Sequence, residues 1–211
     1  MSRAVLLTQE RESVQVGQAL CDATEPLLLI EPIAPLAVLE AEADSRDLQA
    51  IEGFTSASRR AERLAWRRVL RRVAPDAVVE YEPSGAPLLK NSPYAHISVS
   101  HSHTSVAVVL SHRRCAVDIE SLDRNFERIA QRYTTPTERA LCTEEWWLAA
   151  AWCAKECAYK FIGREGVDFL RDITLCSVDT SAQTIAFSAY GEPIELRYDF
   201  VGECEMVVYR L

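Results

Sequence analysis

The sequence predicts an α+β protein of two halves, each reading as strands, one long helix and further strands. Two segments free of Pro and Gly, residues 59–72 and 144–162, are rich in strong helix formers. Short apolar and β-branched runs flank both of them, and four such runs with polar turns close the chain.

A length of 211 residues suits one domain with a substantial core or two small ones, and 48% hydrophobic with 26% charged is ordinary soluble composition. The net charge of −8 argues against general nucleic-acid affinity and against a polybasic membrane patch, while leaving room for a local basic pocket. Seven cysteines (Cys21, Cys115, Cys142, Cys153, Cys157, Cys176 and Cys204) are an odd number with no C-x-x-C pair. They indicate neither a disulfide framework nor a cysteine zinc site, and free thiols imply a reducing compartment. The apolar run Ala4–Leu7 is too short for a signal peptide, and the stretch 26–39 is broken by Glu31, Pro32 and Pro35. A cytoplasmic protein is expected.

Taken in order, residues 4–8 and 27–30 read as strands and 36–51 as helix-like. Thr55, Ser56 and Ser58 offer an N-cap to the helix at 59–72, and Pro75 stops it. Seven arginines fall within those fourteen helical residues. They form either a solvated face balanced by acidic neighbours or an anion-binding edge, since guanidinium forks match phosphate oxygens. Residues 78–82 and 88–90 read as a hairpin around the turn Pro83-Ser84-Gly85-Ala86-Pro87. In the strand from His96, alternation sets Ile97 and Val99 opposite His96, Ser98 and Ser100. His101-x-His103 has the look of half a zinc site, but no third ligand stands at a recognisable spacing, and a surface histidine is the plainer account. Short helices are expected at 125–133 and 136–142, and strands at 172–178, 184–189, 194–200 and 205–209.

The chemistry concentrates in two stretches. Asp118 and Glu120 are two residues apart in the strand-like CAVDIE and so share a face, where like charges repel unless a cation holds them. On the helix at 144–162, about 28 Å long, Trp152, Glu156 and Lys160 are spaced i, i+4, i+8 and share another face. One reading is a solvated strand edge and a surface ion pair. The other joins Asp118, Glu120 and Glu156 as an all-oxygen site suited to Mg²⁺.

These stretches resemble a family. Val117-Asp118-Ile119-Glu120 and Trp152-Cys-Ala-Lys155-Glu156-Cys-Ala-Tyr-Lys160 look like the paired signature of the 4′-phosphopantetheinyl transferases, (V/I)-D-(I/V)-E and W-x-x-K-E-x-x-x-K, here separated by the 31 residues 121–151. Gly85-Ala-Pro87-Leu-Leu89 followed by Ser98-Val-Ser100-His101-Ser102 is similar to that family's first motif, and the arginine helix to its R-R-x-E-x-L-A-x-R element. Two departures are visible. Ala86 stands where many members have Lys or Arg, with Lys90 or Arg113 as possible compensation, and Ala116 where they often have Gly.

The resemblance implies a pseudo-twofold fold of the single-chain, surfactin-synthetase-activating type. Its two similar halves, residues 1–111 and 112–211, would each have a small antiparallel sheet and a long helix, with coenzyme A between them. It implies Mg²⁺-dependent transfer of the 4′-phosphopantetheine group from coenzyme A to a serine of an apo acyl or peptidyl carrier protein, releasing 3′,5′-ADP. Asp118, Glu120 and Glu156 would hold the metal, and Glu156 or a metal-bound water would be the base. Lys160 would be a charge partner or substrate contact, and Trp152 a packing residue. Ser100, His101 and Lys155 would meet the coenzyme A phosphates, and one of Arg59, Arg60 and Arg67 the 3′-phosphoadenosine. Exposed Phe126, Arg128, Arg132 or Tyr133 would meet the carrier, and a monomer is expected by analogy. Two competing readings are a coenzyme A and Mg²⁺ binding module without transferase activity and another metal-dependent phosphotransferase or hydrolase. The sequence has no Walker phosphate loop, which argues against a nucleotide triphosphatase among the latter.

Overall fold

The computed structural model describes residues 5–7 and 25–211. Ala4, Thr8 and Cys21 lie outside the described residues. The chain forms two compact units, one up to Arg114 that also takes in Leu211, and one from Cys115 to Arg210. Both are α+β, with one long helix on a small sheet.

In the first unit β1 (Val5–Leu7), β2 (Leu27–Pro32), β5 (His96–His101) and β6 (Ser105–Ser111) form a sheet of order β1-β2-β6-β5. Its pairs are antiparallel except β1 with β2, which run parallel. β6 is buried along its whole length, as a central Val-rich strand must be. The expected single helix at 36–51 is two short ones, α1 (Leu36–Glu42) and α2 (Ser45–Gln49). Asp44 divides them, because its carboxylate caps α2 by accepting from the Asp47 amide. α3 (Ala57–Val73) is the basic helix, capped by Ser56. It buries Leu64, Trp66, Val69 and Leu70 against the sheet and α1. The strands β3 (Val78–Tyr81) and β4 (Pro87–Lys90) form the predicted hairpin.

Five of the seven arginines on α3 are consumed by carboxylates of this unit. Asp47, 2% exposed, takes Arg67 at 3.2 Å and Arg71 at 2.9 Å through both carboxylate oxygens. Glu31, 4% exposed, pairs with Arg68 and Arg72, and Glu40 with Arg60. A buried acid needs such partners to stay ionised, so the arginine run is mostly internal charge balance.

The second unit is a five-stranded antiparallel sheet of order β7-β11-β10-β9-β8. Its strands are β7 (Ala116–Ser121), β8 (Ile173–Asp179), β9 (Thr184–Ala189), β10 (Glu192–Val201) and β11 (Glu205–Arg210). A 3₁₀ helix at Glu127–Arg132 and α4 (Pro136–Arg139) precede the long α5 (Trp147–Ile162). Gly163 stops α5 with a left-handed φ of 61°, its amide donating to the Tyr159 carbonyl. Ala149, Ala150, Cys153, Ala154, Cys157 and Ala158 give α5 a flat, small-residue face that lies close on β7 and β11.

Two sequence expectations are corrected here. Phe126 and Tyr133 are core residues, 4% and 0% exposed, so neither presents itself to a partner, whereas Arg128 and Arg132 are exposed. Lys155, expected at a phosphate, is fully buried. Its ammonium donates to Glu138 Oε1 at 2.6 Å, to the Phe169 carbonyl at 2.6 Å and to the Ile173 carbonyl. Those oxygens satisfy its donors, tying α4 and the approach to β8 to the underside of α5.

Glu138 completes that clamp, accepting from the Thr135 amide at 2.7 Å and the Leu175 amide at 2.8 Å. Burial alone would lift its carboxyl above the ordinary value, but Lys155 and the two amides outweigh this and hold it below. With the folded value under the unfolded one, the stabilisation is present above about pH 4.3 and is lost as pH falls through the folded value. Glu138→Gln leaves Lys155 buried without its counter-charge, and the second unit should lose about 3–5 kcal/mol at neutral pH in urea unfolding. The variant's stability should also fall less steeply than the wild type's on acidification. Equal urea midpoints at neutral pH would refute the clamp.

Candidate functional site

The sheet's edge strand β7 and the helix α5 together build the acidic cluster. Two side chains of α5 fix their register. At one end the Trp152 indole N–H donates to Glu120 Oε1 at 2.9 Å. At the other, the Lys160 ammonium donates to Asp118 Oδ1 at 2.8 Å and to the Val117 carbonyl at 2.9 Å. Trp152 and Lys160 are two helical turns apart, ~12 Å, and Glu156 stands midway between them on the same face. The carboxyl of Glu156 is thereby set over the strand segment carrying Asp118 and Glu120.

The charges register this proximity. Burial raises the Glu120 carboxyl above its ordinary range and Asp118 raises it further, against the opposing pull of Arg124 and the Trp152 indole. Glu156 is raised in the same way, by burial first and by Asp118 next. For Lys160 burial works downward, but the Asp118 carboxylate beside it reverses the sign and holds the ammonium above its usual value. Asp118 is 5% exposed, and its carboxylate helps push the Cys153 thiol upward after burial.

Glu120 has a second cationic neighbour that the motif reading missed. Arg124, one helical turn's count further along, donates to the same Oε1 that Trp152 uses. Its guanidinium lies 5.0 Å from the Phe126 ring centroid and 5.2 Å from that of Trp152. A Glu–Arg spacing of four was readable, but not the ring stack. In this arrangement the carboxylates of Asp118 and Glu120 are turned to side-chain donors, and among the described residues no three His, Cys, Asp or Glu side chains are disposed as a metal-holding group. The donor chemistry nonetheless fits a hard dication. It is oxygen only, and Glu120 and Glu156 are raised by burial first and by the neighbouring Asp118 carboxylate next.

The other predicted residues lie in the first unit. A pocket of about 570 Å³ is lined by Phe54, Ser56, Arg59, Arg63, Tyr81 and His101, among others. Arg59, Glu62, Arg63 and Trp66 are spaced along one face of α3. Arg63, which sequence reasoning passed over, is held 5.2 Å from the Phe54 ring centroid and 5.1 Å from that of Tyr81. His101 Nε2 is 3.3 Å from Glu62 Oε2 and Nδ1 is 3.4 Å from the Ser102 carbonyl. Of the three candidate arginines, Arg59 lines this pocket, and Arg60 is paired with Glu40. Arg67 is 4% exposed and spent on Asp47 and the Tyr81 hydroxyl, so its expected ligand contact is withdrawn. Ser100 is 8% exposed on β5 and is not among the residues that line the pocket. The expected pair Ser100 and His101 is therefore split across the strand, with His101 alone at the pocket.

Residues 114–202 match the family model of the 4′-phosphopantetheinyl transferase superfamily. That segment belongs to the superfamily. The match spans β7, the acidic cluster and all of α5, so the part of the chain that builds this geometry is the part that carries the family's pattern. A search of curated proteins finds no match. Among the described residues no helix is long and apolar enough to cross a membrane.

Because Cys153 and Cys157 sit under α5 beside Asp118, their thiols report whether this layer is closed. Burial pushes both upward, and Cys115 up to about 12. Iodoacetamide labelling of the native protein followed by mass mapping should modify the exposed Cys176 and Cys204 first, with Cys115, Cys153 and Cys157 at least about tenfold slower. Rapid native labelling of Cys153 would contradict the packing.

Proposed function

We propose that this protein transfers the 4′-phosphopantetheine group from coenzyme A to a serine hydroxyl of an apo acyl or peptidyl carrier protein, with 3′,5′-ADP as the other product. The observation that carries this reading is the register of α5 on β7, which sets Glu156 between the Trp152–Glu120 and Lys160–Asp118 contacts. A magnesium ion bound by Asp118, Glu120 and Glu156 would neutralise the diphosphate and stabilise the departing 3′,5′-ADP.

The chain's own residues do the remaining work. Lys160 holds the Asp118 carboxylate by donating to its Oδ1. Glu156, with its carboxyl raised above the ordinary range, is a suitable acceptor for the carrier serine's proton in the transfer step. Arg59 and His101 supply cationic or hydrogen-bonding groups at the first unit's pocket, where the 3′-phosphoadenosine end of coenzyme A would be held. Arg63 between two rings adds a planar cation suited to a purine face or a phosphate. Ala86 offers no cation at this edge, so in this reading the phosphate contacts would fall to the α3 arginines. The nucleophile comes from the carrier, so the chain needs none. The protein would act as a monomer in the cytoplasm.

Incubation with coenzyme A, Mg²⁺ and an apo carrier protein should give a carrier mass increase of one phosphopantetheine group. Glu156→Gln should lower that rate by at least about a hundredfold while leaving the urea midpoint within about 0.5 kcal/mol. Tight coenzyme A binding without carrier modification would instead favour a binding module. Release of phosphopantetheine without carrier would favour a hydrolase. Since Glu120 and Glu156 hold their protons at higher pH than ordinary carboxyls, divalent-ion affinity should fall on going from about pH 7 to about pH 5, as isothermal titration of Mn²⁺ would record.

A further inference from the structure

The acidic cluster has an internal cation whose position the proposed transfer chemistry does not use. Arg124 follows the turn after β7, and its guanidinium donates to Glu120 Oε1 while facing the Phe126 and Trp152 rings. Its side chain is 44% exposed, against 16% for Glu120. The indole of Trp152 donates to the same oxygen, so Glu120 Oε1 is met by a neutral donor from α5 and by a charged, more exposed one from the following turn. Asp118 is likewise met by Lys160, but that ammonium is also tied to the Val117 carbonyl and is 28% exposed. Arg124 is therefore more accessible than Lys160.

We infer that Arg124 is a built-in counter-cation of the cluster, which occupies Glu120 when no divalent ion is bound and gives way when one enters. This rests on the proposed metal-holding role of Asp118, Glu120 and Glu156. A guanidinium and a dication on one carboxylate repel each other, so each lowers the other's occupancy. The rings of Phe126 and Trp152 supply the arginine with a second resting place, because a cation over an aromatic face keeps part of its stabilisation after the carboxylate is lost. Exchange therefore needs no unfolding of the turn, only a swing of one exposed side chain. Arg124 is a positioning residue: it holds Glu120 in place against repulsion from Asp118 and Glu156, and it makes the protein's grip on a free divalent ion weaker than three carboxylates alone would give.

The test is isothermal titration of Mn²⁺ into full-length wild-type protein, Arg124→Gln and Arg128→Gln at low ionic strength. Arg128, exposed on the same segment, controls for net charge. Arg124→Gln should bind Mn²⁺ about three- to tenfold more tightly than wild type, with the gap shrinking as salt is added. Arg128→Gln should change affinity less than about twofold. Arg124→Lys should stay near wild type, since the charge is kept. Equal or weaker binding by Arg124→Gln, with wild type binding normally, overturns the counter-cation and leaves the metal reading intact. No Mn²⁺ binding by any of the proteins overturns both. In the nitrogen-15 spectrum of arginine side chains, the Arg124 Nε signal should shift on Mg²⁺ addition, and an unmoved signal at saturating Mg²⁺ also overturns the exchange.

Discussion

Lys160 joins a helix to a strand and an ammonium to a carboxylate in one step. Its Nζ reaches both the carbonyl of Val117 and the carboxylate of Asp118, so the same group that fixes α5 lengthwise on β7 also supplies charge to the acidic cluster. The Trp152 indole performs the matching task two turns earlier on Glu120. With both ends pinned, the orientation of Glu156 follows from helical spacing. The small residues of α5 permit this, since alanine and cysteine on the buried face let helix and strand approach closely enough for short side chains to meet. A bulkier face would hold the two carboxylate-bearing elements apart.

The two units handle their charges by different means. In the first, buried Asp47 and Glu31 are neutralised by arginines from α3, and the result is architecture. In the second, Glu138 is neutralised by Lys155 below α5, while on the other side Lys160 pairs with Asp118 and Arg124 with Glu120 beside the Glu156 carboxyl. Burial beside the Asp118 carboxylate is what raises Glu120 and Glu156, and it is also what makes such a cluster receptive to an added cation. One helix thus meets a closed charge pair on one side and a cluster of carboxylates on the other. Lys155 and Glu156 are adjacent in sequence and point to these different environments.

The acidic cluster was readable before any coordinates because its elements are regular. A two-residue repeat on a strand and a four-residue repeat on a helix each define a face, and V-D-I-E with W-x-x-K-E-x-x-x-K placed the carboxylates on those faces. Helix 144–162, the hairpin at 78–90 and the four closing strands were legible for the same reason, with ends moved by a few residues. The division of 36–51 was signalled by Asp44 as a cap, a cue outweighed by the apolar and acidic alternation around it.

What the sequence alone determined is which residues share a face, since that depends only on the local backbone repeat. It did not determine what each face meets. Seven arginines on α3 looked alike in sequence, yet five are consumed by carboxylates from α1, α2 and β2, and Arg59 and Arg63 line a pocket. Lys155 and Lys160 occupy one motif, but a helix turns by 100° per residue, so a five-residue step sends one into the core and the other to Asp118. Partners distant in the chain, Glu138 for Lys155 and Phe126 with Trp152 for Arg124, are chosen by packing between elements, and a contact of that kind leaves no periodic trace in the sequence.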